Sequence, residues 1–192
     1  MKKLRVGFAL TGSFCTFDQA VEVLRQMVEI GWEVLPIMSF NAYELDTKFG
    51  KAQHFIDTIE KITGRSIIHT IPGAEPIGPG KLTDIMVVAP CTGNTLAKLA
   101  VGIADTPVTM ACKSHLRNGL PLVLAVSTND ALGGAAKNIG ALMNYRNLYF
   151  VPMAQDDTVH KPRSIVAKFD QIIPAVEAAA EGMQIQPLYT NH

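Results

Sequence analysis

The amino-acid sequence predicts an α/β fold, a three-layer αβα Rossmann-like sandwich with a parallel sheet of five or six strands. Short apolar runs alternate along the chain with segments of helical periodicity, the pattern of βαβ units whose strands are covered on both faces. Several of the apolar runs end in a loop rich in hydroxyl and amide side chains, where an open parallel sheet holds its ligands. The chain has 192 residues, 48% apolar and 18% charged. At that size one core removes roughly 70% of the unfolded surface from water, so no disulfide or metal staple is needed. Residues 1–181 are expected to form a single domain, and 182–192 a tail that reaches a neighbouring subunit or frays.

Residues 4–10 read as the first strand. Thr16 with Gln19 makes a capping-box pair, and Phe17, Ala20, Val21, Leu24, Met27 and Val28 recur at helical spacing until Gly31. Residues 33–38 read as the second strand, and Ala52, Phe55, Ile56, Ile59 and Ile62 mark a helix that stops at Gly64. A short strand is expected at 67–71. Segment 72–80 carries three Pro and three Gly and reads as a shaped loop without regular structure. A strand at 85–89 and a helix at 95–103 follow, then Thr106-Pro107 as a cap with proline at the first helical position. The remaining expectations are a strand at 122–126, a helix at 135–144, a last strand at 148–151, and a closing helix over 164–181. That helix turns Val166, Phe169, Ile173, Val176 and Ala180 inward.

Composition removes several classes of function. Lys plus Arg number 17 and Asp plus Glu 17, with five His, so no basic face is expected for nucleic acid. The longest apolar runs, near 85–90 and 121–126, fall far short of the roughly 20 residues that cross a bilayer. Thr11, Gly12, Ser13 and Thr16 interrupt the N-terminal run, which reads as a buried strand rather than a signal peptide. Cys15, Cys91 and Cys112 are odd in number and contain no C-x-x-C, so neither a disulfide framework nor a metal site is expected, and the compartment is a reducing cytoplasm.

Four loops are expected to converge on one crevice: Thr11-Gly12-Ser13, Ser39-Phe40-Asn41, Pro90-Cys91-Thr92-Gly93-Asn94-Thr95 and Ser127-Thr128-Asn129-Asp130. The first offers close backbone approach at Gly12, hydroxyl groups and a helix start, which together suit a phosphate monoester. It lacks the G-x-G-x-x-G of a dinucleotide site and the lysine of a P-loop, so neither a pyrophosphate nor a nucleoside triphosphate is preferred. Taken alone it serves equally as a structural turn.

The run Ala89-Pro90-Cys91-Thr92-Gly93-Asn94-Thr95-Leu96-Ala97-Lys98-Leu99-Ala100-Val101-Gly102-Ile103-Ala104-Asp105 resembles the A-P-x-T-A-N-T-x-x-K-x-A-x-G-x-x-D signature of the homo-oligomeric flavin-containing cysteine decarboxylase superfamily. Thr11-Gly12-Ser13 matches the same superfamily. The resemblance implies FMN, with its phosphate held by the Thr11-Gly12-Ser13 loop and Ser39, and its ring and ribityl chain lined by Pro90, Thr92, Gly93 and Asn94. It also implies a homo-oligomer, a trimer or a dodecamer. Stretches 8–16, 74–79, 127–133 and 151–157 resemble a narrower branch, one component of a two-subunit oxidoreductase of spore-forming bacteria. That likeness implies a dicarboxylate substrate oxidised to an aromatic ring in the cytoplasm of the mother cell. With no dinucleotide fingerprint in this chain, NADP is expected on the partner subunit.

Three positions depart from the superfamily pattern. Gly93 replaces an alanine, a lost methyl group that is expected to be tolerated. The decarboxylases carry a catalytic His where this chain reads Glu75-Pro76-Ile77-Gly78, and a P-A-M-N motif where it reads Ser127-Thr128-Asn129-Asp130. Both changes point away from cysteine decarboxylation. An independent FMN-dependent decarboxylase-like flavoprotein or flavin prenyltransferase, and a non-catalytic stabilising subunit, stay open as alternatives.

Glu75 and Asp130 are the carboxylates available to take a ring proton. Lys113 and Arg117 share a helix face near the ligand edge and, with Asn129, suit a dicarboxylate; a solvated basic face is the plainer account. Arg146 and Arg163 are weaker members of the same class. Asn129 and Asp130 suit helix capping equally well. Cys15 and Cys91 read as small buried fillers, and His54, His115 and His160 as surface residues.

Overall fold

Parallel strands β1 (Arg5–Leu10), β2 (Glu33–Met38), β3 (Ile85–Cys91) and β4 (Leu122–Thr128) lie in the order β2-β1-β3-β4. A fifth, β5 (Leu148–Phe150), pairs in parallel with the first half of β4. The structure is a computed structural model and describes residues 3–190. Met1 and Lys2 of the expected first segment, and Asn191 and His192 of the expected tail, lie outside the described residues.

Side-chain alternation along the strands builds two cores, one on each face of the sheet. Ile85, Val87 and Ala89 of β3 join Val123 and Ala125 of β4 beneath α1 (Phe17–Glu29), α3 (Ala52–Thr63) and α8 (Ile172–Ala180). Met86, Val88 and Cys91 join Leu122, Leu124 and Val126 beneath α5 (Gly93–Ala100), α6 (Pro107–Leu116) and α7 (Ala136–Met143). The three-layer reading therefore holds, and the parallel part of the sheet has the lower of the two strand numbers expected. Gly64 ends α3 in the left-handed conformation at φ +65°, as its place after the apolar stripe predicts.

Several local expectations are corrected. Among the described residues the sheet has seven strands, because β6 (Met153–Asp157) and β7 (Lys161–Ala167) form an antiparallel pair whose second member lies against Ser127 and Thr128 of β4. The run 148–151 is thus not the last strand, and the expected closing helix over 164–181 is β7, a 3-10 turn at Phe169–Gln171 and the shorter α8. Pro174 is the physical reason. It lacks an N–H and clashes with the carbonyl four residues back, so a helix containing it must start within the preceding few residues. Phe169 and Val176 are buried as expected, Val166 and Ile173 only partly, and Ala180 is exposed.

Segment 72–80 is more regular than its Pro and Gly content predicts. Thr70 caps a single turn, α4 (Ile71–Ala74), and a 3-10 turn follows at Glu75–Ile77. Proline near the start of each turn supplies a preset φ rather than a break. The expected strand at 67–71 is one bridge from Ile68 to Ile37, and a short α2 (Phe40–Glu44) was not expected. Thr16 makes no cap; its hydroxyl donates to the Ser13 carbonyl at 2.9 Å.

Over its described length the tail is hydrogen-bonded to β5 and β6. The Gln184 side chain accepts from the Phe150 N–H at 2.8 Å and donates to the Phe150 carbonyl at 2.7 Å. Farther on, Met153 donates to the Leu188 carbonyl and Thr190 to that of Met153.

Candidate functional site

Strand order reverses between β1 and β3, since β2 continues from β1 on one side while β3 lies on the other. Loops leaving the two strands diverge there, which opens a crevice at the carboxyl edge. Thr11 ties the strand ends together beneath it. Its hydroxyl donates to the Pro90 carbonyl at 2.8 Å and accepts from the Thr92 N–H at 3.0 Å. Thr92 in turn caps α5, its hydroxyl accepting from the Thr95 N–H at 3.3 Å.

The crevice has a volume of about 450 Å³. Thr11 and Gly12 line it after β1, Ser39, Phe40 and Asn41 after β2, and Thr92, Asn94 and Thr95 after β3. Lys98, Asp105 and Thr106 close the far wall. Lys98 Nζ lies 2.7 Å from Asp105 Oδ1, and that hydrogen bond holds the carboxyl below its ordinary range. The wall thus presents a paired cation rather than a bare one. Ser39 caps α2 through the Ala42 N–H, so its hydroxyl is fixed at the rim.

Of the residues expected at a cofactor, Thr11, Gly12, Ser39, Thr92 and Asn94 come together in this crevice. Ser13, Pro90 and Gly93 support it from outside. Ser13 Oγ is hydrogen-bonded to Ser127 Oγ at 2.7 Å, Pro90 is buried under the floor, and Gly93 opens α5 against Thr128. Of the fourth expected loop, only Ser127 and Thr128 touch this arrangement. Asn129 accepts from the Ser164 hydroxyl at 3.3 Å, and Asp130 accepts from the Gly134 N–H at 3.0 Å, holding a turn. Glu75 is exposed on its 3-10 turn, where its backbone carbonyl accepts from Ser114. Lys113 and Arg117 line a separate groove together with Arg146, and Arg163 lies beside Gly133.

Two expectations about single residues fail. His115 is fully buried, not on the surface. Its Nε2 donates to the Pro121 carbonyl at 3.0 Å, which leaves Nδ1 to accept from the Thr83 hydroxyl, and burial pushes its pKa down to about 4. Cys15 is exposed rather than a buried filler, whereas Cys91 and Cys112 are buried. Burial pushes both of those thiols up, Cys112 to about 12, so neither supplies a thiolate. Among the described residues no group of three or more His, Cys, Asp or Glu side chains is arranged to hold a metal ion.

A model of the Flavoprotein family matches residues 1–176. The chain belongs to the flavoprotein family. It is 43% identical over 192 residues to the B subunit of dipicolinate synthase from Bacillus subtilis (strain 168), covering 100% of this chain and 96% of that relative. The crystal structure of the dipicolinate synthase B subunit from Bacillus halodurans superposes with a TM-score of 0.90 at 42% identity, over 98% of this chain and 96% of that one. The FMN-dependent cysteine decarboxylase SpaF shares the fold, with a TM-score of 0.66 at 23% identity over 93% of this chain and 97% of that one.

The donor set of this flavoprotein's crevice suits FMN. A Cβ on Gly12 would stand 3.5 Å from the Phe14 ring and 3.8 Å from Asn41 Cβ, so the glycine keeps a small throat open between the first two loops. Hydroxyls, two amides and the N-terminus of α5 surround that throat, a chemistry matched to a phosphate monoester and a polyhydroxyl chain. Phe40, Asn41, Thr95, Lys98, Asp105 and Thr106 also line the crevice and were not among the expected cofactor contacts. Lys98 and Asp105 occupy the lysine and the last aspartate of the signature, so their signal was present; Asn41 sits in a loop noted for its polarity.

Proposed function

We propose that this flavoprotein is the B subunit of a dipicolinate synthase and works with the A subunit of that synthase to oxidise dihydrodipicolinate to dipicolinate during sporulation. The observation that carries the reading is likeness to dipicolinate synthase B subunits along essentially the whole chain, at 43% identity to one and a TM-score of 0.90 to another. The reaction removes a hydride and a proton from the ring, and NADP bound by the partner subunit is the electron acceptor. The setting is the cytoplasm of the mother cell, and this flavoprotein works as a homo-oligomer, a trimer or dodecamer.

FMN, when bound, supplies a two-electron carrier. The Gly12 backbone and the Ser39 hydroxyl hold its phosphate, with Ser13 stiffening that loop through Ser127. Asn94 and Asn41 offer amides to the ribityl chain and ring edge, and the Lys98–Asp105 pair closes the wall. Glu75 and Asp130 lie outside the crevice, and Asp105 within it is paired with Lys98, so in this reading the partner subunit supplies the acceptor of the ring proton.

The test uses the full chain, its visible spectrum, and the reconstituted pair. A flavin band should persist through gel filtration after FMN is added. Asn94→Asp should weaken that binding about tenfold or more by replacing a donor amide with a charged carboxylate, with an unchanged melting temperature. Failure of the reconstituted pair to form dipicolinate overturns the proposal. Carbon dioxide release by this chain alone favours the independent decarboxylase, and full activity of the pair with Asn94→Asp favours a stabilising role.

A further inference from the structure

A groove of about 560 Å³ lies on the opposite side of the α5–α6 connection from the crevice and shares no lining residue with it. Leu99, Ile103 and Leu116 give it apolar surface, and Lys113, Arg117 and Arg146 bring positive charge. Lys113 and Arg117 stand one helical turn apart on the same face of the α6 end. Arg146 is delivered from the other side. The Tyr145 hydroxyl donates to the Ala100 carbonyl at 2.8 Å and pins the end of α7 to the end of α5.

Charge is not balanced at this place. Among the described residues Lys3, Arg5, Arg25, Arg65, Lys98 and Lys161 sit within ion pairs while others, Lys61 and Lys137 among them, do not; the groove differs in gathering three unpaired cations around one apolar surface. Among the described residues none of the three groove cations forms an ion pair, and no acidic side chain lines the groove. A helix C-terminus favours a nearby cation, yet that does not account for three of them drawn around an apolar surface from two different helix ends. An arrangement of this kind suits a ligand with a flat apolar body and more than one anionic group, because guanidinium groups grip carboxylates through paired hydrogen bonds while the body covers the leucines.

We propose that the groove is a second ligand site, for a small planar ring carrying two carboxylates. That it takes an organic anion rests on the groove alone; the choice of a ring dicarboxylate rests on the proposed function. A ligand there touches Leu99 of α5 and Ile103 of the α5–α6 connection, while Lys98 and Asp105 of the same two segments line the crevice. The two sites are therefore distinct but share a wall.

Calorimetric titration of the full chain tests this with pyridine-2,6-dicarboxylate, benzoate and inorganic phosphate as probes. Pyridine-2,6-dicarboxylate should bind saturably, benzoate about tenfold more weakly, and phosphate not measurably. Binding should fall about tenfold or more in the double variant Arg117→Gln, Arg146→Gln, and be unchanged in Asn94→Asp. The double variant removes charge without touching the buried core, so it should keep its melting temperature and its flavin binding. Absence of saturable binding overturns the proposal, as does equal binding of phosphate, or loss in Asn94→Asp with retention in the double variant. If no probe binds and the double variant loses its partner subunit, the groove is a protein-docking face and the proposal is wrong. Failure of the reconstituted pair to make dipicolinate would sink the proposed function while leaving the titration readable.

Discussion

A Cβ on Gly93 would stand 2.8 Å from Thr128 Oγ1 and 3.8 Å from Ala135 Cβ. The alanine of the superfamily signature would press on the Thr128 hydroxyl, which has to turn aside to admit it, so the missing methyl group relieves a close contact. Gly93→Ala should destabilise the fold by about 1 kcal/mol. Adding Thr128→Ala should recover most of it, with a coupling of at least about 0.5 kcal/mol in a urea-denaturation double-mutant cycle; strict additivity would refute the contact. Reading one sequence shows that Gly93 differs from a signature, but not that a threonine far along the chain has taken the methyl group's place. His115 is the contrary case. Its charged neighbours Lys113 and Arg117 suggested a surface, yet Val108, Ala111, Cys112 and His115 form one buried stripe at helical spacing that was there to be read.

Elements with a local cause were the most legible. The α6 start follows from Thr106-Pro107, and the structure adds a reciprocal bond: Thr106 Oγ1 accepts from the Thr109 N–H and Thr109 Oγ1 from the Thr106 N–H, both at 3.1 Å. Thr106→Ala should lower the unfolding free energy by about 1 kcal/mol, measured by chemical denaturation; a change below a few tenths would mean that proline alone sets this helix start. The β6–β7 pair was illegible for a nonlocal reason. Val166, Phe169, Ile173 and Val176 have helical spacing across a strand, a 3-10 turn and a helix, and only partners on β4 and β6 hold residues 161–167 extended. Pro174 was the one local warning. The crevice was legible where it is made of loops that follow parallel strands, and illegible in Asn129 and Asp130, whose side chains are spent on Ser164 and a turn.

On the scale of the whole molecule, His115 links the acid stability of the fold to one imidazole. It joins the segment before β3, through Thr83, to the segment before β4, through Pro121, and it is held neutral. Its pKa falls from an ordinary 6.5 to about 4 because burial disfavours the charged ring. The unfolded chain binds this proton more readily than the folded one, so stability is fully present above the unfolded value. It is lost as the pH falls from about 6.5 towards 4. The total is about 3 kcal/mol, and His115→Gln should remove most of the slope in that window; an unchanged slope in the variant would place the acid sensitivity elsewhere. The sheet order follows the same logic of scale, since alternation predicts a covered parallel sheet but not which strand lies beside which.

The tail bears on how copies of this protein behave in crowded solution. Among the described residues β5 pairs with β4 alone, so its other side is a fringe of peptide groups open to a foreign strand. Gln184 answers both the N–H and the C=O of Phe150 with a single side-chain amide. It behaves as a peptide unit borrowed from a neighbouring strand, too short to extend. Gln184 thus hems the sheet: it denies strangers a seam to stitch themselves to while adding no further edge of its own at that point.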